Sequence, residues 1–356
     1  MKAAVYHGIQ DVRFEEVPAP ACGPAEILVG VNYCAVCGTD VRIYLHGHKN
    51  VTPPAVTGHE ITGRVLEIGP EVKEPGLAVG DRVTLVTSIG CGRCKMCRRG
   101  LHNLCPDTKA IGYRYPGGFA ERLAVPAEAV RQRAVLKLPD NLSLLEGALI
   151  EPLSCAINGQ NYLQVRPDDT VVIYGGGPIG FMHAALALAV PAARVIMIDP
   201  AFDRLKHFGR EFPGLILWDP KEVRVADEVN KLTGGFGADV VITACPSPQA
   251  QVEGLGLLGS RGRISLFGGL PKEAGRIEID ANLVHYKELS VYGAFASNRA
   301  DYLEAARLLS ERKIEAEKFI SSVRPLSEFP VAVELIRSGA VLKVVLEVKK
   351  DGDANA

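Results

Sequence analysis

Three things are scarce in this 356-residue chain: a surplus of charge of either sign, a clean apolar run, and an apolar leader. Lys and Arg total 40 against 41 Asp and Glu, a formal net charge of -1. That balance lacks the excess of positive charge that nucleic acid or an acidic membrane surface requires. Aromatic residues make up only 6%, few for a surface on which bases stack. The longest apolar stretch, Phe181 to Ile198, is interrupted by His183, Pro191 and Arg194 and reads as a helix followed by a strand, not a membrane span. The opening MKAAVYHGIQDVRFEE has no apolar core or cleavage site, so no secretory signal is expected and the cytoplasm is the expected compartment. No internal repeat or low-complexity segment is visible. With 47% hydrophobic and 23% charged residues, the composition is that of a globular protein. The length, at roughly 100–200 residues per domain, predicts about two domains.

Cysteine is not scarce. There are nine, an odd number and too few for a disulfide scaffold in so long a chain. Four of them, Cys91, Cys94, Cys97 and Cys105, fall within fifteen residues as CGRCKMCRRGLHNLC. In a chain without an export signal such clustering points to metal. Four thiolates at this spacing can converge on one tetrahedral zinc and leave no open position, so the site reads as structural. It would staple a loop, residues 90–106, that has no core of its own. Four unrelated buried cysteines are the alternative.

The first third of the chain is rich in β-branched residues and punctuated by Gly and Pro. MKAAVYH, VRFEEV, EILVGVNY, ITGRVLEIG, DRVTLV, FAERLAV and AVLKLP read as short strands. No helical period persists there, so a β-rich barrel or sandwich is expected. From DDTVVIYGGGPIG onward, strands ARVIMID, ADVVITAC, GRISLFGG and ELSVYGAF alternate with helical segments, which predicts a parallel sheet covered on both faces. A helix over RADYLEAARLLSERKI with Tyr302, Ala306 and Leu309 on one face, a second over SEFPVAVELIRSG, and a strand KVVLEV complete the pattern. The polar tail DGDANA reads as frayed. The first domain boundary is expected near Glu146 to Glu151.

Two further constellations bear on chemistry. Gly175-x-Gly177-x-x-Gly180, with Pro178 and Ile179 inside it, directly follows the strand TVVIY and opens a helix; Asp199 comes nineteen residues after Gly180. Glycines permit the tight turn and the close approach of a pyrophosphate at the helix N-terminus. Asp199 can accept from a ribose 2′-hydroxyl and repel a 2′-phosphate, favouring NAD over NADP. Arg204 offers the opposite charge for a phosphate, or flanks the adenine. The other constellation is dispersed: Cys37 in CGTD, His59 and Glu60 in GHE, and Glu151 in EPLSC. One thiolate, one imidazole and a choice of carboxylates, leaving an open place, are what a catalytic zinc needs. Each residue taken singly is as well explained by packing or a hydrogen bond.

CGTD, GHE, the four-cysteine lobe, EPL and GGGPIG, in this order, make the chain resemble the zinc-dependent medium-chain dehydrogenases, the superfamily of alcohol, sorbitol and threonine dehydrogenases. The resemblance spans nearly the whole chain. It implies an α/β protein with a GroES-like catalytic domain from residues 1–148 and 296–356 and a Rossmann, doubly wound NAD-binding domain from 149–295, the zinc facing the nicotinamide in the cleft. It implies NAD and two zinc ions per chain. Cys37, His59, Glu60 and Glu151 match the residues that hold or neighbour the catalytic zinc, either glutamate being a candidate ligand. Cys155, one helical turn after Glu151, is a conceivable substitute or a core thiol. Thr39 matches the hydroxyl that hydrogen-bonds the reacting oxygen. Many relatives carry a histidine three residues later as proton relay; here Arg42 stands there, and arginine does not release its proton, leaving His46, His48 or a ribose hydroxyl.

Glutamate at position 151, where simple alcohol dehydrogenases have cysteine, resembles the polyol and threonine branches. The expected activity is therefore hydride transfer between a secondary alcohol of a polyol, sugar or cyclitol and NAD. L-Threonine and simple alcohols are the alternative substrates, and Tyr44 is a candidate to line the pocket or to pack in the core. Expected partners are a small-molecule alcohol and further copies of the chain, as a dimer or homotetramer. No nucleic acid and no membrane partner is expected. A zinc-ribbon interaction module, with Arg98 and Arg99 supplying charge, is the reading from another class.

Overall fold

In a computed structural model that describes residues Met1–Lys349, short strands broken by turn residues fill the first third, as the β-branched composition requires. The terminal DGDANA lies outside the described residues. The chain divides into two contact-dense units, one made of residues 1–154 together with the chain from Ala296, the other Cys155–Phe295. The first boundary falls inside the helix Ile150–Asn161, a few residues beyond the expected 148/149, because a change in residue pattern marks where a helix begins and not where its contacts change hands.

In the first unit a mixed sheet runs in the order Val135–Lys137, Arg82–Leu85, Glu60–Ile68, Ile27–Ala35, Lys343–Glu347, Ile320–Pro325. The strand Arg122–Val125 also pairs with Ile27–Ala35. A strand from the far end of the chain thus lies beside one from its beginning. Register sets Glu60 opposite Ala35, and Ala35 opposite Val345. Because alternate residues of a strand share a face, Lys343, two positions before Val345, is brought to the face that carries Glu60.

One helix here was not expected from the pattern. Gly38–His46 is nine residues long, begins at the CGTD motif and buries Val41 and Ile43. Ile43 packs in a cluster with Tyr6 and Val51. Its two and a half turns are too short to display a periodic stripe, and its start is fixed by a capping contact: Asp40 Oδ2 accepts the Cys37 amide at 2.9 Å.

The second unit is a six-stranded parallel sheet in the order Leu215–Trp218, Arg194–Ile198, Thr170–Tyr174, Ala238–Thr243, Leu258–Leu266, Ser290–Gly293, every neighbouring pair parallel. The order reverses at Thr170–Tyr174, the topological switch where dinucleotides bind in such sheets. All five residues of that strand are buried, as in sheets covered on both faces. Val172, Ile196, Val241 and Ile264 form one core with Val225, Val229 and Leu255 of the covering helices. The strand Leu215–Trp218 was not read from the sequence; four half-buried residues between Gly214 and Asp219 carry little signal. On the helix Arg299–Ser310 the buried side holds Tyr302, Ala305 and Leu309, with Ala305 in place of the expected Ala306. Among the described residues no helix is long and apolar enough to cross a membrane.

Candidate metal centres and dinucleotide site

The four-cysteine lobe is a set of free thiols whose Sγ atoms all lie within 4.8 Å of one another. Cys94 Sγ is 3.5 Å from Cys97 Sγ and 3.8 Å from Cys105 Sγ. Four sulfurs about 2.3 Å from a tetrahedral zinc stand roughly 3.8 Å apart, so the donor set fits that ion. Backbone groups prepare the thiolates. Hydrogen bonds from the Arg93 and Cys94 amides bring the Cys91 thiol down to about 6, and the Cys97 amide, at 3.5 Å, lowers Cys94. Burial pushes Cys97 up to about 12, which the charge of a bound cation would reverse. A side chain at Gly90 would put its Cβ 2.5 Å from Cys97 Sγ, so glycine there is what lets the loop close over the sulfurs.

The second set is built by two elements. Cys37 caps the helix Gly38–His46, and His59 and Glu60 sit where the strand Glu60–Ile68 begins. The chain enters that strand through Gly58, whose φ of +92° and whose Cβ contacts of 2.8 Å with Phe119 and 2.9 Å with Cys34 Sγ allow no side chain. One ligand atom each of Cys37, His59 and Glu60 lies within 4.8 Å of the others. Glu151 is not in that set; it occupies the first turn of Ile150–Asn161, 8% exposed, and its charge acts on Tyr113 and Lys343.

Glu60 Oε2 is buried without a hydrogen-bond partner, while Asp40 Oδ1 and His59 Nδ1 are buried facing each other 3.5 Å apart. An orphaned carboxylate oxygen beside a thiol and an imidazole is what a metal ion would satisfy, so the donor set fits zinc. Burial alone would depress the His59 imidazole, but the Asp40 carboxylate, then Tyr113 and hydrogen bonds to Asp40 and Cys37, hold it well above its ordinary value. Thr39 is half-buried in the first helical turn and accepts from Arg42 Nη2 at 3.4 Å. His46 is exposed, and His48 is half-buried with Nδ1 accepting the Asn50 amide at 3.2 Å. The ring of Tyr44 meets that of Phe329, centroids 6.0 Å apart.

Two residues of the neighbourhood had no mark in the sequence reading. Tyr113 lays its ring against His59, centroids 5.5 Å apart, and against His48 at 5.3 Å; burial pushes its hydroxyl up to about 12. Nothing in IGYRYPGG announces it. Lys343, only 3% exposed, donates to Glu60 Oε1 at 2.6 Å. A signal for it did exist, since a lone lysine within the apolar LKVVLEV must find a partner if the strand is buried.

In the second unit the glycines do what their positions ask. Gly175 has φ +113°, and a Cβ on Gly180 would come within 1.8 Å of Gly175 O. A Cβ on Gly177, the residue preceding the helix Pro178–Ala189, would meet nothing within 4 Å, which leaves an open cradle at the helix N-terminus. Asp199 Oδ2 accepts the Gly176 amide at 2.6 Å and Oδ1 the Ala201 amide at 2.7 Å, so its first task is to hold the loop. A carboxylate keeps acceptor sites beyond two such bonds. Arg204 is lowered by burial, opposed by Asp199, and its Nε is buried without a partner. An open glycine cradle flanked by a carboxylate and an unsatisfied guanidinium fits a dinucleotide.

Comparison with known proteins agrees. Residues 23–140 match the alcohol dehydrogenase GroES-like domain, and residues 178–311 the zinc-binding dehydrogenase domain. A sorbitol dehydrogenase of Halalkalibacterium halodurans is 32% identical over 350 residues, covering 97% of this chain and 99% of its own. An L-threonine 3-dehydrogenase of Pyrococcus furiosus is 34% identical over 340 residues, covering 94% of each. A zinc-binding dehydrogenase of Sinorhizobium meliloti 1021, solved bound to NADP, superposes with a TM-score of 0.88 at 30% identity over 98% of this chain and 99% of that one. The chain belongs to the zinc-dependent medium-chain dehydrogenases, in the branch of the sorbitol and threonine dehydrogenases, and is a zinc- and nicotinamide-dependent oxidoreductase.

Proposed function

We propose that the enzyme oxidises a secondary alcohol of a polyol, sugar or cyclitol with NAD, or reduces the corresponding ketone. The observation that carries this reading is the acidic character of the Cys37–His59 site: Glu60 is buried within reach of both, the charge of the buried Glu151 acts on their neighbours Tyr113 and Lys343, and carboxylates favour a substrate rich in hydroxyl donors over a hydrocarbon tail. The sorbitol dehydrogenase relative supports the same class. The threonine dehydrogenase relative keeps L-threonine as the second reading, since Arg42, bonded to Thr39, supplies an exposed cationic group beside that hydroxyl.

Cys37, His59 and either Glu60 or Glu151 would hold the catalytic zinc, and Cys91, Cys94, Cys97 and Cys105 the structural one. Zinc in the first set supplies Lewis acidity that lowers the pKa of an alcohol presented to it. Thr39 then has a defined part. Arg42 occupies one lone pair of its Oγ1, leaving the other to take the alcohol proton while its own O–H donates onward to water. A nicotinamide held at the glycine turn would supply the acceptor for the hydride of the alcohol carbon. Asp199 favours NAD over NADP by opposing a 2′-phosphate, with Gly175, Gly177, Pro178, Ile179 and Gly180 shaping the pyrophosphate turn and Arg204 beside it.

The cysteine cluster at Cys91, Cys94, Cys97 and Cys105, taken as a zinc site, is in keeping with a cytoplasmic setting. Among the described residues Ser290–Gly293 pairs on one side only, and Tyr286, Val291 and Phe295 near it are exposed. That open edge supports assembly as a homodimer or homotetramer, and the reading of residues 1–148 with 296–356 as catalytic domain accompanies it.

A screen of NAD reduction across sugar alcohols, cyclitols, aldoses, L-threonine and primary alcohols tests the assignment, with turnover expected on polyols and lost in Cys37→Ser. Activity confined to primary alcohols would overturn it, and activity confined to L-threonine would select the second reading.

A further inference from the structure

Lys343 is a charged residue in a place where charge is costly. It is 3% exposed at the start of a strand whose next three residues are fully buried, and its ammonium donates to Glu60 Oε1 at 2.6 Å and to the Val36 carbonyl at 3.3 Å. Glu60 is completely buried. A pair so deep survives only if each member satisfies the other. The pairing divides the two oxygens of Glu60: Oε1 is engaged by the ammonium, Oε2 is buried without a hydrogen-bond partner, and one carboxylate oxygen stands within 4.8 Å of the Cys37 and His59 ligand atoms.

We propose that Lys343 is a positioning residue that restrains Glu60 from the metal, so that Cys37 and His59 hold zinc with a place kept open for substrate. The inference rests on reading Cys37 and His59 as ligands of the catalytic metal, with Glu60 the carboxylate beside them. Removing the ammonium acts in three ways, all of one sign. A positive charge that repels the cation disappears, Glu60 becomes free to turn fully toward it, and a buried carboxylate without a counter-charge gains one when the metal binds. Lys343 therefore weakens the grip on zinc and protects the open place.

The test uses the full-length, zinc-loaded enzyme and follows zinc release to a chelator alongside steady-state kinetics. Lys343→Met should release the catalytic zinc roughly tenfold more slowly, the scale on which outer partners of metal ligands act, and should lose kcat while KM for NAD stays unchanged. Lys343→Gln, which keeps a donor for the Val36 carbonyl, should behave alike, and Lys343→Arg should restore the parent release rate. Glu60→Gln, which strands the ammonium beside the cation, should release zinc faster whether or not the lysine variants fold. Release from Lys343→Met at or above the parent rate, or from Glu60→Gln at or below it, would overturn the proposal. Zinc counts separate this from the site assignment: two ions per parent chain and one in Cys37→Ser uphold the metal set, whereas equal counts in both remove the set and the proposal together.

Discussion

Asp40 touches both protein groups that frame the candidate metal site: its Oδ2 accepts the Cys37 amide at 2.9 Å and its Oδ1 lies 3.5 Å from His59 Nδ1. A carboxylate behind a ligating imidazole fixes which nitrogen carries the proton and raises the basicity of the other. Asp40 is 1% exposed, so this arrangement is held by the fold and not by solvent. Asp40→Asn preserves the shape and removes the charge. It should weaken zinc retention at this site by roughly 10- to 100-fold, measured as zinc per chain after dialysis against graded chelator, with the four-cysteine zinc unaffected.

The lobe should behave as an independent clasp. Cys97→Ser removes a buried sulfur from the tetrad, and a thiolate-bound zinc contributes folding free energy directly. The variant should lose one zinc per chain and become sensitive to limited proteolysis between Cys91 and Cys105. Coenzyme binding, followed by quenching of protein fluorescence, should be unchanged.

Asp199 is bonded to the glycine turn as well as being the residue placed to discriminate coenzymes. Asp199→Asn keeps an acceptor for one backbone amide and abolishes the negative charge, so the ratio of kcat/KM for NAD over NADP should fall about tenfold or more, one charged hydrogen bond being worth about 1.5–3 kcal/mol. Asp199→Ala should go further and raise KM for both coenzymes, because the Gly176 amide loses its partner.

Acid should destabilise the second unit through a residue with no part in the reaction. His183 is fully buried, packs edge-on against Phe267 and is pushed down to about 3 by burial. The unfolded chain takes up its proton near pH 6.5 while the folded one does not, so the stability present above that value is lost as pH falls toward the folded value. The slope approaches about 1.4 kcal/mol per pH unit for this one group. His183→Leu leaves the bond from Gln160 to the backbone carbonyl of residue 183 in place. Denaturant melts at about pH 7.5 and about pH 5 should therefore differ less in the variant than in the parent; equal differences would exclude His183 as the source.

What could be read from the chain depended on how local the signal was. The glycine turn, the strand before it and the helix after it are contiguous, and the tetrad lies in fifteen residues, so pattern and spacing sufficed. Cys37, His59 and Glu60 were legible only as a set matched to a family, because no local rule separates a ligand from a packed thiol. Tyr113 reaches His59 across more than fifty residues of chain, and Lys343 reaches Glu60 across 283. The first depends on where the turn between Ile111 and Tyr115 folds back, and the second is a consequence of sheet register, which a sequence pattern does not fix for strands so far apart.

The strand Lys343–Glu347 lies between Ile27–Ala35 and Ile320–Pro325, which sets a timetable for biosynthesis. On the ribosome, residues 155–295 are contiguous and can collapse as they emerge. The opening 154 residues must wait, with the Tyr33–Ala35 end of the strand Ile27–Ala35 unpaired on that side, until nearly all the remainder has been translated. During that interval Glu60 lacks Lys343, its partner across 283 residues of chain, and the half-made sheet presents an unpaired edge of the kind that other chains can join.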